Sequence, residues 1–270
     1  MIPLLLDGRR AQEQICARLY KAFAAQPATL AIVQVGNNTA STAYIKQKIR
    51  FGERVGARVV YKKFPADISE SDLLFEIDAL NRDESVSGII VQLPLPAHIG
   101  KQQIQNAVAL AKDVDGLASG SPFMPATARG VLELLAFFGI AVVGKAAVVF
   151  GRSAVAGGAI ARALASEGAR VSVVHSQTPS EEAKAVSRAS DIIVAAIGKP
   201  KLLGSAYFRS DRKQVVVDVG ITRGELALVG DVDFEKVAPI VAAISPVPGG
   251  VGPMTVAALF ENLHDAVKSA

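Results

Sequence analysis

The chain has 270 residues, half of them hydrophobic and a fifth charged, with 29 basic against 25 acidic side chains and a net charge of +4. This is the profile of a globular α/β protein of one large or two modest domains, and no apolar run approaches the roughly 20 residues of a membrane span. Because the basic residues are dispersed among acidic ones, and 4 Tyr, 11 Phe and no Trp offer few stacking platforms, neither nucleic acid nor membrane is expected as a partner.

Met1–Arg10 carries only the short apolar run Ile2–Leu6 before Asp7, without a leader pattern, and the single cysteine, Cys16, cannot close an internal disulfide. Both features favour a cytoplasmic protein. Thr29–Gly36 reads as a buried strand, Asn37–Thr39 as a turn and cap, and the following helix runs to about Val55. On that helix Tyr44 and Lys48 share one face, either as a phenol and an amine presented together to a ligand or as part of a solvated amphipathic face.

Ala57–Phe64 reads as a second strand and Ser69–Arg82 as a helix opened by the capping pattern Ser69-x-x-Asp72. Val86–Leu93 is a third strand, stopped by Pro94 and Pro96. Its Gln92 sits at the carboxyl end, where open α/β sheets contact ligands and where a polar residue also simply caps a strand. Lys112–Gly116, KDVDG, precedes the loop Ala118–Ser121 and marks a domain boundary. There Asp113 and Asp115 are either turn-forming aspartates or carboxylates placed to pair with the N–H donors of a heterocycle.

After a helix over Ala128–Phe138, the stretch Ala146–Gly158, AAVVFGRSAVAGG, reads as strand, glycine turn and helix, the helix covering Val155–Ser166. Gly151 and Gly157 permit close backbone approach, and the helix start favours an anion, so the segment is a phosphate cradle or else an ordinary strand-to-helix turn. Its spacing departs from G-x-G-x-x-G. Strands at Arg170–His175, Asp191–Gly198 and Gln214–Gly220 alternate with helices, the pattern of a parallel sheet. The proline- and glycine-rich tail Ile244–Thr255 leads into a helix over Val256–Lys268 with the apolar stripe Val256, Leu259, Phe260, Leu263 and Val267. The strand ending at Val174 is followed by His175 and Ser176, with no carboxylate before Glu181. An NAD site needs an acid there for the ribose, whereas Arg152 and Ser176 suit a 2′-phosphate, so NADP is favoured over NAD.

Taken together, Tyr44-x-x-x-Lys48, the VQLPLP run ending at Pro96, the KDVDG run, Gly151-Arg152-Ser153, His175-Ser176-x-Thr178 and the PVPGGVGPMT run ending at Thr255 resemble the bifunctional methylenetetrahydrofolate dehydrogenase/methenyltetrahydrofolate cyclohydrolase family. The resemblance implies a three-layer α/β folate-side domain, residues 1–118 and 248–270, a Rossmann-type NADP-binding domain, residues 119–247, and an active site in a cleft between them. It implies Lys48, Tyr44 and Gln92 as catalytic residues, and Ser41, Asp115, Pro248 and Gly250 as contacts of tetrahydrofolate derivatives, Asp115 pairing with the pterin. For NADP it implies Gly151, Arg152, Ser153, Gly157, His175, Ser176, Gly198, Gly220, Ile221 and Thr255. It further implies a homodimer and purine-supplying one-carbon chemistry. No metal is expected, since His98, His175 and His264 are far apart in sequence. Three positions depart from the family pattern: the loop at 117–124 is short, Pro125-Ala-Thr-Ala128 replaces Pro-Cys-Thr-Pro, and Ala159 replaces a proline. The rival readings are a shikimate-dehydrogenase-like oxidoreductase and a non-catalytic NADP- or folate-binding protein.

Overall fold

The computed structural model describes residues 2–224 and 227–269. In chain order the strands are β1 (Leu4–Leu5), β2 (Thr29–Val35), β3 (Arg58–Phe64), β4 (Gly88–Gln92), β5 (Ala146–Phe150), β6 (Arg170–Val174), β7 (Ile192–Ala195), β8 (Val215–Asp218), β9 (Thr222–Arg223), β10 (Leu228–Val229) and β11 (Ala243–Ile244). The helices are α1 (Gly8–Ala25), α2 (Thr39–Val55), α3 (Glu70–Arg82), α4 (Lys101–Ala107), α5 (Ala126–Phe137), α6 (Gly157–Ser166), α7 (Ser180–Ala189), α8 (Phe234–Val237) and α9 (Val251–Ser269). They form two compact units, Glu13–Ala126 with Val256–Ala270 and Met1–Gln12 with Thr127–Thr255.

The first of these units holds a parallel three-stranded sheet in the order β3-β2-β4. All seven residues of β2 are buried, as its near-continuous apolar sequence requires of a central parallel strand. Ala31, Val33 and Val35 pack with Ile89 and Val91 of β4 and with Leu73, Ile77 and Leu80, whose helical spacing turns one stripe of α3 to the sheet. Both caps expected here are present: the Asn38 side chain accepts from Ser41 N at 2.9 Å, and Ser69 Oγ accepts from Asp72 N at 3.1 Å. Since β3 and β4 flank β2 on opposite sides, β2 is the switch point of this sheet, and its carboxyl end lies beside that of β4 with Gln34 in register with Gln92.

The other unit holds a parallel six-stranded sheet in the order β1-β11-β8-β7-β5-β6. Its core gathers Val148 and Phe150 of β5, Ile193 and Ala195 of β7, and Val216 of β8. Here the chain passes from β5 to β6 on one side and to β7 on the other, which makes the carboxyl end of β5 the switch point. These units divide at 126/127 and 255/256, where the sequence reading expects 118 and 248, and the N-terminal segment joins this unit through β1, whose Leu4 and Leu5 pair with Ala243 and Ile244 of β11.

Two helix starts differ from the sequence expectation. The first, α6, begins at Gly157 rather than Val155: Ala156 has φ −135° and ψ −92°, outside the helical region, and Gly158 N donates to Ser153 O at 2.9 Å. The second, α9, begins at Val251 rather than Val256. Pro253 falls in its first turn, where no intrahelical donor is required, so the glycine–proline run starts the helix instead of preceding it. Among the described residues no helix is long and apolar enough to cross a membrane.

The fully buried Asn262 of α9 ties the loop after α4 to the helix, its Nδ2 donating to Val114 O at 2.8 Å and to Met124 O at 2.9 Å. Asn262→Ala leaves those carbonyls without this partner and is expected to cost about 1–3 kcal/mol. The denaturant midpoint should fall with the slope unchanged; an unshifted midpoint would contradict the assignment.

Candidate active site

Lys48 lies one turn beyond Tyr44 on α2 and is 5% exposed. Its Nζ donates to Gln92 Oε1 at 2.9 Å and sits 5.1 Å from the centroid of the Tyr44 ring, within cation–π range. The Gln92 amide is held by its other end, Nε2 donating to Leu93 O at 3.0 Å. The same carbonyl accepts Ser41 Oγ at 3.0 Å, so Ser41, Gln92 and Lys48 form one connected group at the carboxyl end of β4. The Leu93–Pro94 peptide that follows is cis.

Burial pushes the Lys48 amine below its ordinary value, and the Asp115 carboxylate opposes that shift. Burial likewise pushes the Asp115 carboxyl up, against the Lys48 ammonium. Desolvation thus drives both toward their neutral forms while each charge sustains the other. A lysine shifted in this direction can take up and return a proton closer to neutrality than an exposed one can.

The two aspartates of the KDVDG run separate in role. Asp113 is 3% exposed, and its Oδ2 accepts Ala118 N at 2.9 Å, which shapes the short loop after it. That is the turn-forming part. Asp115 keeps its carboxylate in the field of Lys48, and only its backbone carbonyl is engaged by the next helix, accepting Ala126 N at 3.2 Å.

In the other unit, a pocket of about 470 Å³ opens at the carboxyl ends of β5, β6 and β7. Gly151, Arg152 and Ser153 line it from the first turn, His175 and Ser176 from the second, and Lys199 from the third. Gly151 has φ +112°, and a Cβ there would lie 2.2 Å from Ala196 O, so only glycine fits. Arg152 and Lys199 give the lining positive charge and none of its residues is acidic, a donor set that fits a phosphorylated dinucleotide. The second turn is closed by Thr178 N donating to His175 O at 2.9 Å and by His175 N donating to Thr178 Oγ1 at 3.2 Å.

Of the remaining expected contacts, Gly157, Gly198, Gly220, Ile221 and Thr255 do not line this pocket, although Ile197 and Lys199 on either side of Gly198 do. Thr255 Oγ1 donates to Val251 O at 3.2 Å within α9. Gly250 N donates to Pro246 O at 2.8 Å, and Pro248 is exposed beside it. Lys199 in the pocket lining and two buried acids, Asp218 and Asp231, are not among the residues the sequence points to. Burial pushes the Asp218 carboxyl up to about 7, with nearby Asp231 adding to it and backbone N–H donors opposing. An aspartate closing a wholly apolar strand, as Asp218 closes β8, was the available signal.

Residues 6–115 match the tetrahydrofolate dehydrogenase/cyclohydrolase catalytic domain, and residues 125–270 match the NAD(P)-binding domain of the same family. The bifunctional protein FolD of Bordetella avium is 40% identical over 284 residues, covering 99% of this chain and 98% of its own. Among solved structures, the bifunctional enzyme FolD of Campylobacter jejuni superposes with a TM-score of 0.93 at 39% identity, covering 98% of both chains. The FolD of Trypanosoma brucei, complexed with NADP cofactor and inhibitor, gives a TM-score of 0.93 at 33% identity, covering 100% of this chain and 98% of its own. Shikimate dehydrogenase from Aquifex aeolicus, at 17% identity with a TM-score of 0.51 over 90% of this chain and 97% of its own, shares the fold alone.

Asp115→Asn removes the negative charge that favours the Lys48 ammonium, so the Lys48 pKa should fall further and its neutral fraction at a given pH should rise. An NMR titration of the Lys48 side chain reads this directly. An unchanged or raised value would show that the two groups are not coupled.

Proposed function

The chain belongs to the tetrahydrofolate dehydrogenase/cyclohydrolase family and is a bifunctional enzyme of that kind, and from this we propose how its residues divide the two reactions. It oxidises 5,10-methylenetetrahydrofolate with NADP⁺ in preference to NAD⁺, then hydrolyses the methenyl product to 10-formyltetrahydrofolate. The observation that carries the reading is the buried Lys48 amine bonded to Gln92 within the field of Asp115.

Bound NADP⁺ would accept the hydride as the C–H bond of the methylene carbon breaks, leaving the methenyl cation. No protein group need take a proton in that step, so the chain's task there is to hold donor carbon and acceptor ring at reacting distance. Hydration is different. Water adds its oxygen to the methenyl carbon and gives a proton to the neutral Lys48 amine. The resulting ammonium protonates N5; the carbinol O–H then gives its proton to the again-neutral Lys48 amine as the carbonyl forms and the C–N5 bond breaks, which leaves the formyl group on N10, and Lys48 releases that proton to solvent. Gln92 holds Nζ in place, Tyr44 lies against it, and Asp115 accepts N–H donors of the pterin. Ser41, Pro248 and Gly250 are proposed as further folate contacts.

On the cofactor side Arg152 and Ser176 grip the 2′-phosphate, supported by the absence of an acidic residue in the pocket lining. Gly151, Ser153, Gly157 and His175 shape the turn region, with Gly198, Gly220, Ile221 and Thr255 proposed as outer contacts. The reading is completed by a cytoplasmic homodimer that acts on folates and on neither nucleic acid nor membranes; the resemblance supports the dimer and the dispersed charge supports the rest.

Following NADPH formation and methenyl absorbance in parallel from methylenetetrahydrofolate tests both steps at once. The kcat/KM for NADP⁺ should exceed that for NAD⁺ by roughly tenfold or more, the scale of one charge-assisted phosphate contact, and Arg152→Ala should erode the difference. Equal values for the two cofactors in the wild-type enzyme would overturn the assignment.

A further inference from the structure

The fully buried carboxylate of Asp231 accepts three successive backbone N–H groups of the segment after β7: Ile197 N at 2.5 Å and Gly198 N at 3.0 Å on Oδ2, and Lys199 N at 2.8 Å on Oδ1. We propose that Asp231 is the positioning residue of the cofactor pocket, holding residues 197–199 in the shape that Ile197 and Lys199 present to a bound dinucleotide. The inference rests on the reading of that pocket as the NADP site.

Among the described residues these three N–H groups bond to no acceptor other than Asp231. Gly198 and Lys199 are exposed, and without the carboxylate their N–H groups would turn to water and the loop would sample other conformations. Its inner edge is packed hard against the phosphate turn, since Ala196 N donates to Phe150 O at 2.8 Å and Ala196 O occupies the space a Gly151 side chain would need. A shift at 197–199 is therefore felt at Gly151.

Asp231 is itself held. Its own N–H donates to Asp218 Oδ1 at 3.1 Å, Val232 N donates to Asp218 Oδ2 at 2.9 Å, and Gly220 N donates to Asp218 Oδ1 at 3.0 Å. Thus Asp218, at the end of β8, fixes the backbone of Asp231, and Asp231 fixes the loop after β7. Two glycines mark the path. A Cβ on Gly220 would lie 2.2 Å from the Asp231 carboxyl carbon, and one on Gly230 would lie 2.0 Å from Asp218 Oδ2, so each glycine leaves the volume its neighbouring carboxylate fills.

Asp231→Asn keeps the shape but turns one acceptor into a donor facing the loop's own N–H groups. Direct titration with NADPH, followed by cofactor fluorescence, should show the Kd raised about tenfold or more. The KM for NADP⁺ should rise in parallel with kcat at saturation little changed, and hydrolysis of methenyltetrahydrofolate, assayed with no cofactor present, should keep its wild-type rate. A merely structural role would lower that rate too. NADPH affinity equal to wild type would overturn the inference alone, whereas a wild-type protein that binds no NADPH would overturn the cofactor site itself. If the variant does not fold, hydrogen exchange on the wild-type chain decides. The amides of Gly198 and Lys199 should exchange slowly despite their exposure, and rapid exchange there would refute the proposal.

Discussion

A lysine amine taken out of water must be paired, hydrogen-bonded or stripped of its proton, and the folate-side unit is arranged around one such amine. Lys48 has the oxygen of Gln92 at 2.9 Å as its neutral partner and the carboxylate of Asp115 as its charged one. Each partner comes from a different part of the chain: Gln92 from the end of β4, Asp115 from the loop after α4, Lys48 from α2. The sheet order β3-β2-β4 brings the first and last together, and Asn262 of α9 braces the second. Neutral and charged partners have different effects on the proton. The amide fixes the position of Nζ without favouring the ammonium as strongly as an ion pair would, while the more distant carboxylate limits how far burial lowers the pKa.

The cofactor-side unit uses a different arrangement, buried carboxyl groups surrounded by backbone donors and kept away from the ligand. Asp218 and Asp231 each accept three main-chain N–H groups and present no carboxylate to the pocket, whose own lining carries only cationic and neutral side chains. A carboxylate facing that pocket would repel phosphate, whereas one behind the loop shapes the loop at no such cost.

Much of this was legible in the sequence because it depends on local chemistry. The alternation of apolar runs with helical segments implied parallel sheets, the caps at Asn38 and Ser69 are short-range hydrogen bonds, and the i, i+4 spacing of Tyr44 and Lys48 follows from helix geometry alone. What could not be read depends on distant pairing. Nothing within residues 1–12 indicates that β1 pairs with a strand 239 positions later, Leu4 with Ala243. The separation of Asp113 from Asp115 also required the fold, since both sit in one turn-forming run and only tertiary packing decides which carboxylate the turn uses. The role of Asp231 is not legible locally, because its partners, residues 197–199, lie more than 30 positions away. The start of α9 departs from the expectation for a different reason: proline and glycine favour loops, yet proline is tolerated in a helix's first turn.

The central claim, that Lys48 serves hydration and not hydride transfer, is tested most directly by Lys48→Met, which keeps the stem and deletes the proton carrier. Cyclohydrolase turnover should fall about 10²-fold or more, the scale of losing a general acid–base, while NADPH formation falls far less and methenyltetrahydrofolate accumulates as a released product. Equal loss of both activities, with folate affinity intact, would contradict the division of labour and assign Lys48 to the hydride step as well.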